Sequence, residues 1–365
     1  MSVPPSVTFD TLWPADSTEF CPHPDAANLF VCGTYKLEQN ETDAPADEAE
    51  GAPRKPQVRR GKCMLFAVDE KNDLSEIDHV SLPAVLDMKW CHRTLDVPPL
   101  LGIADSEGGL SLCELDIEQK TLQSLERVEC ATSDVLCLSL DWSNRRDPTS
   151  TLGNVVVSLS NGSLALLKPT DNARLSVTET WHAHDHEPWI AAWNYWDTNV
   201  IYSGGDDLTM KGWDIRQGFG ASTFANRRFD AGVTTIQSHP HVERLIAVGS
   251  YNDTVRLFDT RKPLVPLAET NVGGGAWRVK WHPSPTRKDD LLVACMHDGC
   301  KVVRFALGGG GAEFHSAASE GAVVHRFDEH ASMAYGADWC YAPVTGDSLV
   351  ASCSFYDHKL CLWQG

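Results

Sequence analysis

The sequence has no run of about eighteen apolar residues, so no membrane-spanning helix is expected. Its first ten residues lack a basic segment followed by an apolar one, which predicts no secretory signal and favours a cytoplasmic protein. Positive charge is also scarce, since 31 lysines and arginines stand against 50 aspartates and glutamates, a net charge of −19. Nonspecific nucleic-acid binding needs a basic footprint, so neither nucleic acid nor membrane is an expected partner. Such acidity suits a cationic ligand or a basic partner surface, and it also serves solubility alone.

Sequence motifs of catalysis are missing as well. There is no Gly-x-Ser-x-Gly elbow, no phosphate-binding Gly-Lys-Ser/Thr loop and no His-Glu-x-x-His pair. The twelve cysteines form no Cys-x-x-Cys pair, and most lie in strand-like runs, where they are expected as reduced, buried, small apolar groups. No cofactor and no metal is expected. Motifs alone therefore indicate a non-catalytic interaction platform.

What the sequence does have is a repeat. Seven apolar stretches end in a similar marker, and from Trp90 onward successive markers lie between 43 and 58 residues apart. The markers are Phe20, Trp90, Trp142, Trp193, Ser238, Trp281 and Trp339. Evenly spaced short strands with a period in the forties are typical of radial repetition around a channel.

Each marker is followed by a strand that ends in a turn rich in Gly, Asn or Asp, such as residues 155–162 and 245–253. A third strand then often ends in an aromatic residue. Trp213 and Asp214 form the dipeptide that names WD repeats, and Phe258 with Asp259 is a conservative departure from it. The sequence therefore predicts an all-β, seven-bladed WD-repeat β-propeller.

Strand counting predicts how the ring closes. The last blade ends at Trp363 and lacks its outer strand, whereas residues 7–13 form an unassigned strand-like run. We expect this N-terminal strand to complete the C-terminal blade, because closure removes an exposed sheet edge. The whole chain, 1–365, is then one domain. Residues 38–60 are expected to be a flexible charged insertion in the first blade, with docking as an alternative role, and residues 308–321 a flexible Gly-rich loop.

A histidine-rich segment, residues 182–189, leads into the fourth blade. In an extended chain His182, His184 and His186 share one face, which would suit a metal site. The favoured alternative is a structural turn in which a histidine makes a buried hydrogen bond, because one short strand rarely supplies a whole metal site.

The starts of the inner strands and the turns between second and third strands should meet at one rim of the channel. The residues expected there are His184, Glu187, Trp189, Tyr251, Trp277, Arg278, His297, Asp298, Tyr335, Tyr356 and His358. Aromatic faces attract quaternary ammonium ions, and a histidine beside a glutamate suits general-base chemistry. An ordinary protein-binding rim is the alternative interpretation.

Several stretches resemble the WD-repeat diphthine methyl-esterases of the diphthamide pathway. The resemblance spans nearly the whole chain, and phrases such as Cys-Ser-Phe-Tyr-Asp-His are not general propeller patterns. The segments that carry it are residues 15–22, 32–35, 189–196, 203–207, 211–214, 247–251, 277–283, 294–297, 335–339 and 353–358.

The resemblance implies an enzyme, a carboxylic ester hydrolase. Members of that family remove a methyl ester from diphthine methyl ester on a histidine of translation elongation factor 2, giving diphthine for later amidation to diphthamide. The substrate carries a trimethylammonium group. The implied partner is the elongation factor, with other enzymes of the pathway as further candidates. A non-enzymatic adaptor that recruits the elongation factor or the amidating enzyme is the alternative.

Ester hydrolysis needs a nucleophile, a base and an oxyanion stabiliser. We expect His184 as the base, with Glu187 orienting it or acting on water itself, and His297 as the rival base. Arg278, or the amides of residues 273–275, would hold the oxyanion. Water is a likelier nucleophile than Ser250 or Ser354. The residues expected to bind the substrate are Trp189, Tyr251, Tyr356 and Trp277.

Overall fold

The computed structural model describes residues 2–38, 57–172, 174–307, 320–343 and 346–365. In these residues, seven antiparallel sheets form a closed ring of blades. The innermost strand of each blade contacts the innermost strands of both neighbours, and the last blade contacts the first. The predicted all-β, seven-bladed propeller is confirmed.

The first four blades follow one another along the chain. Blade 1 comprises β2 (Ala15–Phe20), β3 (Leu29–Thr34), β4 (Lys36–Leu37), β5 (Arg59–Val68) and β6 (Leu74–Pro83). Blade 2 comprises β7 (Val85–Cys91), β8 (Leu100–Asp105), β9 (Gly109–Asp116) and β10 (Thr121–Glu129). Blade 3 comprises β11 (Cys137–Trp142), β12 (Val155–Leu159), β13 (Ser163–Pro169) and β14 (Leu175–His182). Blade 4 comprises β15 (Ile190–Trp193), β16 (Val200–Gly204), β17 (Met210–Asp214) and β18 (Phe224–Asn226).

The remaining blades complete the ring. Blade 5 comprises β19 (Val233–Ser238), β20 (Leu245–Ser250), β21 (Thr254–Asp259) and β22 (Ala268–Asn271). Blade 6 comprises β23 (Arg278–Trp281), β24 (Asp290–Ala294), β25 (Cys300–Arg304) and β26 (Ala322–Phe327). Blade 7 comprises β27 (Ala334–Trp339), β28 (Leu349–Ser354), β29 (Lys359–Gln364) and the N-terminal β1 (Val7–Asp10). Two short 3₁₀ helices are Pro24–Ala26 and Pro285–Arg287.

The N-terminal strand closes the ring as expected. β1 pairs antiparallel with β29, with Val7 opposite Leu362 and Asp10 opposite Lys359. Phe9 of this strand packs edge-on against Phe66 of blade 1, with ring centroids 5.0 Å apart. The terminal strand therefore joins the first blade to the last through both its backbone and its side chains.

Most of the two expected flexible segments, residues 39–56 and 308–319, lies outside the described residues. At the end of the first segment, Arg59 and Arg60 belong to β5 and pair with Leu37 and Lys36 of β4. These two arginines are therefore part of the first sheet.

Tryptophans at the ends of the inner strands join neighbouring blades. The indole Nε1 of Trp142 donates to the carbonyl of Lys89 at 2.9 Å, and that of Trp339 donates to the carbonyl of Lys280 at 2.9 Å. Trp90 and Trp193 repeat this bond to Glu19 and Asp141. Buried indoles usually find such partners, so the predicted markers are residues that hold one blade to the next.

The channel has two mouths, one at the beginnings of the inner strands and one at their ends. Each inner strand contributes one residue to the mouth at which the strands begin. In five of them the pairing shifts around the second residue, which is therefore bulged. In blades 4 and 6 the equivalent residue immediately precedes the strand. This ring of positions holds Asp16, Leu86, Leu138, Trp189, Thr234, Trp277 and Tyr335. Bulges commonly re-aim a side chain next to a functional site.

All twelve cysteines are buried and none is in a disulfide, in agreement with the expectation from their sequence positions. Within the described part of the chain, no helix is long and apolar enough to cross a membrane.

Candidate functional site

Four aromatic side chains form an arc at the mouth where the inner strands begin. Trp189 lies 5.4 Å from Trp277, and Trp277 lies 4.9 Å from Tyr335, measured between ring centroids. Tyr251 contacts both tryptophans, at 6.4 and 5.9 Å. All four rings are partly exposed, so they offer aromatic faces to a ligand. We call these four residues with Asp16 the aromatic mouth.

Further rings extend the arc across blades 7 and 1. Phe355 lies 5.5 Å from Tyr335 and 5.9 Å from Tyr35, and Tyr356 stands edge-on to Phe355 at 5.0 Å. Tyr356 is 70% exposed. The aromatic surface thus extends from blade 4 to blade 1.

Acidic groups lie beside this arc. Trp189 Nε1 donates to Asp206 Oδ1 at 2.7 Å, which fixes the orientation of the indole. The pKa of Tyr251 is raised, first by burial and then by the nearby charges of Asp206 and Glu187. Aromatic faces beside carboxylates favour a cation, because the ring quadrupoles and the negative charges act in the same direction.

Asp16 is a buried carboxylate at this mouth. Its exposure is 8%, and its side chain makes no hydrogen bond to any other described residue. Burial raises its pKa to about 7, and the charge of Asp87 adds to the rise while Arg278 opposes it. Asp16 also influences the pKa of Tyr35 and of Tyr335, which places it close to the aromatic arc. A carboxylate that exchanges a proton near neutral pH is suited to general-base work.

Arg278, a predicted site residue, is buried beside Asp16. Its Nη2 lies 3.3 Å from Asp87 Oδ1, and Lys89 Nζ donates to the same carboxylate oxygen at 2.6 Å. Burial alone would raise the pKa of Asp87, but Arg278 and Lys89 outweigh it and hold that pKa below its usual value. Asp87 is therefore an ionised, fully bonded anchor for Arg278, and Asp16 remains the unbonded carboxylate.

His184, the expected base, is part of a buried network. Its Nδ1 lies 2.8 Å from Asp207 Oδ1 and its Nε2 lies 2.7 Å from Ser203 Oγ, which also accepts from Trp213 Nε1 at 2.9 Å. A carboxylate only accepts, so Nδ1 carries the proton and Nε2 accepts from the serine. Neither nitrogen is left for a reacting group, and the structural alternative proposed from sequence describes this geometry.

Blade 7 contains a related network. His330 Nε2 lies 2.7 Å from Ser352 Oγ, which accepts from Trp363 Nε1 at 3.0 Å. The same arrangement in two blades shows that a buried histidine, serine and tryptophan are a recurring support of this fold. The geometry thus assigns His184 to blade architecture.

The other predicted base residues, Glu187 and His297, are exposed, whereas Asp16 is buried. Glu187 is exposed, and Asp207 instead orients His184. His297 is also exposed, and it lines a shallow cavity of about 460 Å³ together with Met333 and Tyr356. His297 therefore shares a cavity with Tyr356, the most exposed ring of the aromatic surface.

The remaining predicted groups are engaged in local contacts. The amide of Gly273 donates to Asn271 Oδ1 at 2.8 Å. Ser250 donates to Asn252 and Ser354 donates to Asp357, and both hydroxyls are buried. His182 and His186 are exposed whereas His184 is buried, and the described residues contain no group of three metal-ligating side chains.

Sequence reasoning missed Asp16, although a signal for it exists. Each of the seven residues that the inner strands contribute to this mouth lies four residues before a marker, as Asp16 precedes Phe20 and Trp277 precedes Trp281. Alignment of the seven inner strands on their markers would have placed Asp16 level with Trp189, Trp277 and Tyr335.

Repeated blades, inter-blade tryptophan bonds and buried histidine–serine–tryptophan networks define a WD-repeat propeller, here with an aromatic mouth above a buried acid. The chain belongs to the diphthine methyltransferase family. It is 38% identical over 346 residues to the human diphthine methyltransferase, covering 92% of this chain and 74% of that protein. It is 31% identical over 361 residues to the Schizosaccharomyces pombe diphthine methyltransferase, covering 99% and 97%.

The Dictyostelium discoideum diphthine methyltransferase homolog is 33% identical over 389 residues, covering 96% of both chains. No family model matches the sequence. Among solved structures, a chain in the "Crystal Structure of Mitotic Checkpoint Complex" superimposes with a TM-score of 0.67 at 13% identity, covering 100% of this chain and 92% of that one. This structural likeness confirms the propeller fold. The names of the relatives indicate an enzyme of methyl-group chemistry in diphthamide biosynthesis.

Proposed function

We propose that this protein hydrolyses the methyl ester of diphthine methyl ester on translation elongation factor 2, releasing methanol and diphthine. The observation that carries the proposal is Asp16, an unbonded buried carboxylate beside Arg278 and next to the aromatic arc. The name of the relatives, diphthine methyltransferase, supports a substrate of the diphthamide pathway, and the aromatic mouth suits the chemistry of diphthine.

The trimethylammonium group of the substrate would sit against Trp189, Tyr251 and Trp277. A quaternary ammonium cannot donate a conventional hydrogen bond, so aromatic faces and nearby carboxylates are the groups that bind it best. Asp206 and Glu187 supply that negative charge beside Tyr251. Bound in this way, the cation would position the ester near Asp16 and Arg278.

The hydrolysis uses only water as a second reactant. Asp16 accepts a proton from a water molecule as its oxygen forms a bond to the ester carbonyl carbon. Arg278 stabilises the negative charge that develops on the carbonyl oxygen. When the tetrahedral intermediate collapses, the bond from carbon to methoxy oxygen breaks, and the proton held by Asp16 passes to the departing methoxide to give methanol. The product is a carboxylic acid, which then ionises.

The test incubates purified protein with elongation factor 2 that carries diphthine methyl ester, in water enriched in oxygen-18. Mass spectrometry should show loss of one methyl group, one oxygen-18 in the new carboxylate and unlabelled methanol. Asp16→Asn should slow this reaction roughly 100- to 10,000-fold, the usual contribution of a general base. The matched control is Asp25→Asn, which makes the same change at an 81% exposed aspartate. Asp25 follows the end of the inner strand of blade 1, away from the aromatic mouth, so this variant should keep the wild-type rate.

Three results would contradict the proposal. Gain of a methyl group that depends on S-adenosylmethionine would show transfer in the opposite direction. Binding of the elongation factor by folded protein without methanol release would indicate the adaptor. Full activity of folded Asp16→Asn would remove Asp16 from the mechanism.

A further inference from the structure

A second cavity lies at the opposite mouth of the channel, where the inner strands end. Its volume is about 320 Å³, and its walls combine hydrogen-bond donors with aromatic rings. The one carboxylate in its lining, that of Asp147, is paired with Arg146 at 2.6 Å. We call this surface the arginine mouth, defined by His92, Arg145, Tyr195, Trp281 and Tyr341. The proposed ester hydrolysis uses none of these residues.

Arg145 provides positive charge at this cavity. Its side chain is only 4% exposed, yet its nearest carboxylate oxygens, on Glu19 and Asp141, lie at 3.7 and 3.9 Å, beyond normal hydrogen-bond distance. The guanidinium bonds to the phenol oxygen of Tyr341, but its Nη1 has no partner among the described residues. A buried guanidinium normally has its donors occupied, so this one has capacity for an additional acceptor.

Trp281 departs from the rule that the other marker tryptophans obey. Trp90, Trp142, Trp193 and Trp339 donate their indole N–H to the preceding blade. Trp281 lines the cavity instead, and its Nε1 has no partner within the described residues although the side chain is 3% exposed. An unpaired buried donor costs free energy, so its presence in a repeat that elsewhere satisfies it indicates a ligand.

His92 forms part of the wall of the same cavity. Its Nε2 is buried and has no partner in the described chain. Burial, followed by the charge of Arg145, lowers the pKa of His92 to about 3, so the ring is neutral at physiological pH. The ring also bonds to the backbone of Arg145, and a neutral imidazole has only one N–H, so His92 shapes the cavity and is not one of its free donors.

We propose that the arginine mouth binds a small organic oxyanion through Arg145 and Trp281. The phenol groups of Tyr195 and Tyr341 lie close to Arg145 and offer both hydroxyls and aromatic walls. An oxyanion only accepts hydrogen bonds, which matches the unpaired guanidinium and indole N–H groups of Arg145 and Trp281. The cavity volume of about 320 Å³ accommodates an oxyanion that is attached to a small ring or a short chain.

Carboxylates and phosphate monoesters share this chemistry, so the experiment uses one probe of each kind. Isothermal titration calorimetry would measure binding of benzoate and of phenyl phosphate, with benzyl alcohol as a neutral probe of similar shape. At least one anion should bind and the alcohol should not. Binding of benzoate alone identifies a carboxylate site, and binding of phenyl phosphate alone identifies a phosphate site.

Conservative variants locate the site. Trp281→Phe keeps a ring but removes the N–H, and should weaken binding about fivefold, the effect of one hydrogen bond. Arg145→Lys keeps the charge but loses the planar fork, and should weaken it about tenfold. Arg174→Lys, at a 74% exposed arginine of blade 3, is the matched control and should bind as the wild type does.

Melting curves would confirm that each variant is folded, and Tyr341→Phe gives a second conservative change should Arg145→Lys fail to fold. The inference is overturned if neither anion binds, if benzyl alcohol binds as tightly, or if Trp281→Phe and Tyr341→Phe both retain wild-type affinity. Methanol release from the elongation factor is measured separately, so failure of one proposal leaves the other intact.

Discussion

The two mouths of the channel are formed by the same seven strands but have opposite chemistry. Where the strands begin, partly exposed rings stand beside the acids Asp16 and Asp206. Where they end, Arg145 and the unpaired indole N–H of Trp281 line a cavity. One end suits a cation and the other an anion. The comparison shows that strand positions come from the repeat, whereas function comes from which residue occupies each position.

Opening the ring should destroy both mouths together, and this is the largest effect we expect. Deletion of residues 1–13 removes β1 and exposes the edge of β29. An unpaired sheet edge promotes aggregation because its free N–H and C=O groups can pair with another chain. Size-exclusion chromatography and thermal melting should show aggregation or loss of the cooperative transition. A synthetic peptide of residues 1–13, added in excess, should restore part of the melting temperature. Unchanged melting of the truncated protein would refute closure by this strand.

Replacing a tryptophan at each mouth should separate their roles. Trp281→Ala removes a buried ring and should lower the free energy of unfolding by about 3–5 kcal/mol. Trp277→Ala, at a partly exposed ring, should cost less stability but raise KM for the methylated elongation factor about 5- to 30-fold through the lost cation–π contact. Denaturant titration and steady-state kinetics measure the two effects. Equal losses of stability with unchanged KM would contradict the assignment.

The acid at the aromatic mouth should make stability depend on pH. The pKa of Asp16 is about 7 in the folded protein against an ordinary 3.8, so the folded state holds its proton more tightly. This contribution is fully present below pH 4 and is lost as pH rises through 7. Asp16→Asn should therefore gain stability relative to the wild type between pH 4 and 7, by up to about 4 kcal/mol at 1.36 kcal/mol per pKa unit.

Wild-type ester hydrolysis should show the complementary trend. The base must be ionised, so the rate should rise with pH and level off above about 7. Urea titrations of the wild type and of Asp16→Asn at several pH values measure the difference between their free energies of unfolding. A difference that is constant with pH would argue against the raised pKa of Asp16.

Replacement of His184 in blade 4 should lower the stability of the propeller and leave the rate of ester hydrolysis nearly unchanged. His184→Gln breaks the bonds to Asp207 and Ser203 and should cost about 1–3 kcal/mol of stability. The turnover number per folded molecule should stay within about twofold of the wild type, unlike that of Asp16→Asn. His330→Gln, in the related network of blade 7, is the control for a structural loss. A 100-fold slower turnover by folded His184→Gln would restore His184 as the base.

The smallest effect is expected at Glu187. Its side chain is exposed, so Glu187→Gln should change stability by no more than about 0.5 kcal/mol. Loss of one charge near Tyr251 should raise KM no more than about threefold, and more at low salt than at high salt. An effect as large as that of Trp277→Ala would show that the carboxylate, more than the rings, binds the cation.

The sequence by itself determined the architecture, because a propeller depends on local signals repeated seven times. The markers, the turn residues and the N-terminal strand, which the count of blades left unassigned, were enough to predict the blades and their closure. They also placed Trp189, Tyr251 and Trp277 at one rim, since the starts of the inner strands and the turns between second and third strands meet on one side of a propeller.

Only the tertiary structure decided which polar groups are available for chemistry. His184 and Asp16 both precede or begin an inner strand, and the sequence favoured the histidine because of its chemistry. Folding brings Asp207 and Ser203 onto both nitrogens of His184, whereas Asp16 is buried without a hydrogen bond next to Arg278. Whether a donor or acceptor is satisfied depends on residues distant along the chain, and a local pattern cannot report it.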